Sequence, residues 1–482
     1  MNQQNLSQSV RYFETWRSQL YQVLGSRRSS VMELLDSISS NCQASSVAEL
    51  SLNPLFRRDY NSLYKAIQDF LPPPNHPDYE QAFDGLFDLV SATVPPPELR
   101  QFYLFGVDVT PYPRPYSATL SDKTYIYQPN VIKGNKPINI GHAYSVVAAL
   151  PERGKTGNVP WTIPLSGQRV SSGDKDINVA QKQLKTILNH SSAPWKDKLA
   201  VVVADSLYSQ RSFLGEQVLS EHLVTISRVR SNRVFYRQFI PSAEKAKSVG
   251  HPRWYGDKFD LKDETTWSEP DEVIYSNFTT KRGRELHLKI SGWNQLLMKG
   301  TKNYNMHKYP FRLLQVVVSD DHGKTIWKPM WLLVIGSRRH ELTLNECHQA
   351  YGQRYNLEHL FRFGKQKLLM RAYSTPEIHH EENWFQLTLL SYVNLWKARK
   401  LATVLPRPWE YYLSPTEVEK ITPSLVQRDF YRIISQLGTP AKSPKRRGFS
   451  PGRIKGEKKV PRTRHQVIKK QQKCKNKKIK VP

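Results

Sequence analysis

The chain has 482 residues with 71 Lys and Arg against 42 Asp and Glu, a formal charge of +29 and a pI near 9.8, so a polyanion is its expected partner. No apolar run approaches the roughly 18 residues of a spanning helix, and Met1–Ser7 carries no basic segment ahead of an apolar core, which argues against a membrane partner and against export. Three scattered cysteines, Cys42, Cys347 and Cys474, exclude a disulfide framework and a zinc site. A cytoplasmic protein is expected, nucleoid-associated if the host is bacterial, and its length calls for several domains.

Residues 11–92 carry helical periodicity and end at Val94-Pro95-Pro96-Pro97, which predicts a helical N-terminal DNA-binding domain over 1–97. Within it, 46–50 and 55–67 resemble a helix-turn-helix with Arg57, Arg58 and Lys65 available for phosphates. An ordinary helical hairpin accounts for the same pattern equally well. Over 98–229 the expected order is strands at 102–109, 124–128 and 140–150, a helix at 179–189, and strands at 199–204 and 223–229. Alternating Tyr, Trp, Val and Thr with recurrent turn signals make 230–340 a β-rich insertion. A second part of the α/β core is expected over 341–405, with an amphipathic helix at 384–401. Residues 406–440 predict C-terminal helices, two of them at 414–437 separated near Pro423. His379-His380-Glu381-Glu382 reads as a polar helix start, because no third element stands at ligand spacing. From 441 to 482, Lys and Arg mix with Pro, Gly and Gln and leave nothing to bury, so a disordered basic tail that tracks DNA is expected.

Three acids stand out against this background. Tyr103-Leu-Phe-Gly-Val-Asp108 and Leu199-Ala-Val-Val-Val-Ala-Asp205 are apolar runs that each end in a carboxylate. Open α/β sheets place their sites at such strand ends, so the two acids meet if the strands are neighbours. Tyr351, Arg354, Glu358 and Lys365 form a Y-x2-R-x3-E-x6-K spacing. At about 100° per residue, all four project within about 60° on one side of a helix. An exposed helix stitched by i,i+4 pairs is the bland alternative. With Asp108 and Asp205, Glu358 would complete a three-carboxylate cluster that needs countercharge and, as hard oxygen ligands, suits Mg2+ or Mn2+, two ions being expected.

Together, the complete signature at Tyr351, Arg354, Glu358 and Lys365 and the two upstream aspartates make the chain resemble a bacterial insertion-sequence DDE transposase of the YREK-signature group. That resemblance spans most of the chain. It departs at Asp108-Val109-Thr110, where the group often has Asp-Asp-Thr, and at Asp205-Ser206-Leu207-Tyr208, where it often has Asp-x-Gly/Ala-Tyr/Phe. It implies a ribonuclease H-like catalytic core interrupted by the insertion. Asp108, Asp205 and Glu358 would be the catalytic and metal-binding residues, with Tyr351, Arg354 and Lys365 binding DNA. The implied activity is metal-dependent cleavage at element ends followed by strand transfer, on terminal inverted repeats and target DNA, by a homodimer or larger synaptic complex. Hairpin-forming cut-and-paste members carry a similar insertion that contacts end DNA, and Trp267 would stack a flipped base there. Its acidic neighbours oppose close phosphate approach, and packing with Trp254, Trp293, Trp327 and Trp331 is the alternative. A nuclease without strand transfer and a non-cutting DNA-binding derivative are the competing functions.

Overall fold

The computed structural model describes residues 3–128, 137–152, 161–240, 253–280, 282–407, 409, 421–445, 456 and 461–470. Four helices come first: α1 (Gln3–Val23), α2 (Arg28–Ser39), α3 (Tyr60–Gln68) and α4 (Tyr79–Ser91). The core follows with β1 (Tyr103–Pro113), β2 (Thr124–Tyr127), β3 (Ile138–Ala149), β4 (Ile163–Val170), α5 (Asp176–Asn189), β5 (Ala200–Ala204), α6 (Arg211–Gln217) and β6 (Leu223–Val229). The insertion supplies β7 (Val234–Gln238), β8 (Tyr255–Asp260), β9 (Glu272–Thr279), β10 (Glu285–Leu297), β11 (Phe311–Ser319) and β12 (Met330–Ile335). The chain then returns through α7 (Leu344–Gln353), α8 (Tyr355–Lys367), α9 (Ile378–Ala398), α10 (Leu401–Val404) and α11 (Pro423–Leu437).

β5 is Ala-Val-Val-Val-Ala with every residue buried. Such a run suits a central strand covered on both faces. It pairs in parallel with β1 and with β6, whereas β3 pairs antiparallel with β1 and with β4. The resulting order β4–β3–β1–β5–β6, with β2 on the outer end of β3, is consistent with the expected ribonuclease H-like fold. β4 is a strand that the sequence reading lacks. β1 also runs past Asp108 to Pro113, because it keeps its pairing with β3 after β5 has ended. Asp108 therefore sits in mid-strand rather than at the strand's end.

The insertion continues the same sheet, since β12 pairs antiparallel with β6 and β11 and β10 follow outward, giving twelve strands in all. On one side of the core α7 lies over β5 and β6, and α8 lies over β1. Gly106 permits that closeness, as a Cβ there would stand 2.8 Å from Leu357 Cδ1. α9 lies on this side too, with Phe385 and Leu389 against Gly167 of β4, while α5 packs on the other face, where Gln183 Nε2 donates to Ser166 Oγ.

The N-terminal helices share one apolar cluster with the C-terminal ones, from Phe13 and Trp16 through Trp384 to Phe430 and Ile434. Trp16 Nε1 donates to Asn394 Oδ1 at 3.3 Å, and Asn383 Nδ2 donates to the carbonyls of Ile67 and Leu71. The expected helix-turn-helix is not formed. Its first segment is a short 310 turn (Ala48–Leu52), and α3 packs on α2 and α9. Arg57 and Arg58 are also not free for phosphates: both pair with the buried Glu33 and donate to the carbonyls of Ala441 and Lys442.

Of the expected C-terminal helices, most of the first falls outside the described residues and α11 matches the second. Much of the expected disordered tail also lies outside the described residues. Residues 461–470 are laid along the outer edge of β2, where the N–H of Ile468 donates to Lys123 O at 2.9 Å and that of His465 to Ala118 O at 3.0 Å. Among the described residues no helix is long and apolar enough to cross a membrane.

Candidate active site

The parallel pairing of β1 with β5 sets Val107 opposite Ala204, so the next residues on the two strands, Asp108 and Asp205, are at matching positions. Asp108 Oδ1 accepts from the N–H of Val109 at 2.8 Å. Asp205 caps the 310 turn that follows it, its Oδ1 accepting from the N–H of Leu207 at 2.8 Å. Asp205 thus fills the capping role open to an Asp that ends a strand.

The signature does not lie on one unbroken helix. α7 ends at Gln353 and α8 begins at Tyr355, with the N–H of Arg354 bonded to Tyr351 O and that of Leu357 to Arg354 O. These tight i→i−3 bonds bend the chain at Arg354, which keeps helical angles. Glu358 still reaches Asp108 through that residue. Arg354 Nη1 donates to Asp108 Oδ2 and Nη2 to Glu358 Oε1, each at 3.0 Å. Tyr351 is buried beside it, the guanidinium carbon 5.9 Å from the ring centroid. One planar cation ties β1 to α8, as its fixed fork of donors allows.

Electrostatics report how crowded the site is. Burial pushes the Asp108 carboxyl up to about 6; Arg354 opposes that rise and the charges of Asp205 and Glu358 add to it. Burial opposes the charge of Arg354, yet Tyr351, Asp108, Glu358 and Asp205 together hold its pKa above the ordinary value. Burial lifts the Tyr351 phenol, against Arg354 and Arg228. Lys365 is lowered to about 8, by burial and then by the nearby cation Arg371, with Asp108 acting the other way.

Two of these neighbours escaped sequence reading. Arg371 follows α8 in a turn where Leu369 has φ 56°, and that turn is held by Trp384 Nε1 donating to Leu369 O at 2.9 Å. Asp176 opens α5; burial raises its carboxyl, Lys470 lowers it and Asp205 raises it. Neither belongs to a spacing or periodic pattern, so only the fold brings them in.

Trp267 is placed elsewhere. It stacks on Phe259 at 6.1 Å, meets Trp293 and Trp331 edge-on, and donates its indole N–H to Asp260 O at 2.7 Å. Those contacts are the packing alternative. His379 and His380 lie on α9 with burial lowering both imidazoles. Their neighbour Glu381 is fully buried and accepts from Arg114, Tyr144 and His142, tying α9 to β3.

Among the described residues, no three His, Cys, Asp or Glu side chains stand close enough to hold a metal ion as they are. The donor chemistry nevertheless fits a hard divalent cation. Asp108 and Asp205 occupy matching positions on neighbouring strands as oxygen donors, and the burial that disfavours the Asp108 charge is a cost that a bound cation would offset. Arg354, Lys365 and Arg371 are cations of the kind that bind a phosphate, and they neighbour carboxylate oxygens of the kind that bind a cation.

No curated protein matches the chain significantly. A family model described as DDE superfamily endonuclease matches residues 19–298, a span that holds both aspartates and ends within the insertion.

Proposed function

The chain belongs to the DDE superfamily endonucleases, and from that premise we propose that it is a DNA transposase, cutting at the ends of an insertion sequence and joining the freed 3′ hydroxyl to target DNA. The observation that carries this reading is the alignment of Asp108 with Asp205 on neighbouring parallel strands, linked through Arg354 to Glu358. Endonuclease activity on DNA is the family's; strand transfer, terminal inverted repeats as substrate and a dimeric or larger synaptic complex belong to the proposal.

Asp108, Asp205 and Glu358 would hold two Mg2+ or Mn2+ ions, which when bound activate an attacking oxygen and stabilise the leaving one. Arg354 restrains the carboxylates while the cleft holds no DNA. Its remaining donors, with Lys365, then fix the phosphate beside the scissile bond through charge-assisted contacts. Tyr351 packs under the guanidinium and limits its swing.

Replacing Asp108, Asp205 or Glu358 by Ala should abolish cleavage in Mg2+ and leave binding to end DNA within a few-fold of wild type. Substantial metal-dependent cleavage by Glu358→Ala would overturn the assignment. Strand transfer is tested separately, by incubating pre-cut ends bearing a 3′ hydroxyl with a supercoiled plasmid and looking for joined products.

A further inference from the structure

Immediately past Asp205 the chain forms one wall of a cleft of about 710 Å3, whose other wall comes from the insertion. Ser206, Leu207 and Ser209 to Ser212 line the core side; Asn232, Arg233, Met298, Lys299 and Tyr304 line the far side. The insertion is seated there by a close contact. A Cβ on Gly215 of α6 would stand 2.6 Å from the Tyr304 ring, so the glycine lets that ring lie against the helix.

Four cations face this space: Arg211, Arg230, Arg233 and Lys299. None of them pairs with a carboxylate within 4.0 Å among the described residues. Neutral acceptors hold them instead. Arg211 Nη1 donates to Lys299 O at 3.2 Å, Arg233 Nη2 to Ser209 O at 3.1 Å, and Arg230 Nε meets Ser206 Oγ at 3.4 Å. Lys299 Nζ sits 4.7 Å above the Tyr236 ring. Carbonyls, a hydroxyl and a ring face fix the side chains in direction and leave their charge uncancelled. Arg233 is half-buried, and burial together with Arg211 lowers its pKa, so the cluster carries a standing repulsion. Concentrated charge of this kind in a concave, partly desolvated site calls for a polyanion rather than for water alone.

The cleft also has a direction. Arg228 on β6 acts on the Tyr351 phenol, and Arg230 follows two residues later. Cations therefore continue from beside Tyr351 on α7 to the cleft, along the end of β6 and the residue just past it. Its size suits a single strand and not a duplex, and Leu207, Met298 and Tyr304 offer apolar surface between the charges.

We propose that this cleft is a second phosphodiester-binding subsite, which grips the backbone of one DNA strand next to the scissile bond. The inference rests on the proposed DNA-cleaving function and adds the subsite to it. The test measures binding of a fluorescein-labelled 20-mer, duplex and single-stranded, by anisotropy without divalent metal across a salt series. Three proteins are compared: wild type, the triple variant Arg211→Gln/Arg230→Gln/Arg233→Gln, and a control with exposed insertion lysines replaced, Lys262→Gln/Lys289→Gln/Lys324→Gln.

The cleft variant should lose about 2–3 from the slope of log K against log salt, since each phosphate contact contributes about 0.7–0.9. The control should lose less than one. Equal losses in both variants, or an unchanged slope in the cleft variant, would overturn the subsite. Should the triple variant melt early, Arg230→Gln alone serves, because that side chain is exposed and held by one long contact; its expected loss is about 0.7–0.9. Replacing chloride by inorganic phosphate at equal ionic strength distinguishes a free-phosphate site, which would release DNA selectively, from a backbone site, which would not. A wild type that binds DNA with the expected slope difference but fails to cut it would retain the subsite and refute the catalytic reading; the reverse pattern would do the opposite.

Discussion

Lys365 sits in an environment at odds with its charge. Its ordinary pKa is 10.5 and its folded value about 8, so taking a proton is harder in the folded state than in the unfolded chain. Folding is therefore opposed by this group below about pH 8, and the opposition fades as pH rises toward the ordinary value. Such a strain is acceptable where an anion arrives to relieve it. Lys365→Met should accordingly raise the melting temperature of the DNA-free protein by roughly 2–4 °C at pH 7 and change it little near pH 10, while impairing cleavage. Differential scanning fluorimetry at the two pH values checks this; a drop in stability at pH 7 would mean that the lysine makes a stabilising contact instead. Arg354 shows the complementary case, where one guanidinium meets two carboxylates and gains charge stabilisation from both.

Among the elements, the approach of α8 to β1 sets the distance between Glu358 and Asp108. Gly106→Ala would place a methyl 2.8 Å from Leu357 Cδ1 and force the two apart. Displacements of about 1 Å at a reacting centre can cost about 100-fold in rate. The variant should thus lose at least tenfold in cleavage and lower the melting temperature, with end-DNA binding nearly unchanged; normal cleavage would show that the pocket absorbs the methyl. The sequence disclosed β1, β3, β5 and β6 because their β-branched, apolar runs are long and bounded by turn residues. It concealed β4, whose Ile163-Pro-Leu-Ser-Gly-Gln-Arg-Val170 carries Pro and Gly and reads as loop. The strand tolerates Pro164 because the ladder to β3 shifts register between Val147 and Ala148. Equally, the rotation arithmetic that put Tyr351, Arg354, Glu358 and Lys365 on one side treats two helices as one. It works because Arg354 stays in the helical region through the bend, and nothing local except Gly352 announces the break. Arg371 and Asp176 were invisible for a different reason: their relation to the site is purely tertiary.

For the molecule as a whole, the basic tail has two anchor points of unequal weight. Near its start, Ala441 is buried, Arg17 Nη2 donates to Thr439 Oγ1, and Arg57 reaches Ala441 O. Farther on, residues 461–470 are mostly exposed and touch β2 through few bonds. From 441 to 482 there are 17 Lys and Arg against one Glu. A chain ending at Lys445 should keep its melting temperature within about 2 °C, whereas one ending at Leu437 should lose several degrees with its hydrogen bonds, each worth about 1 kcal/mol. The shorter truncation should also weaken non-specific duplex binding and flatten its salt dependence. Equal salt slopes for full-length and Lys445-terminated proteins would show that the tail leaves DNA alone.

The pairing of β12 with β6 also sets a timetable for synthesis. Asp205 is synthesised 153 residues before Glu358, and Asp108 earlier still. The sheet edge at β6 waits through the whole insertion for its partner, and α7 and α8 follow only after β12. At about 5–20 residues per second, that interval lasts about 8–30 s. A growing chain released early would therefore be unarmed, carrying two of the three carboxylates and an open strand edge. Under the proposed assignment, the order of the elements means that only a polypeptide synthesised past the insertion would hold all three acids.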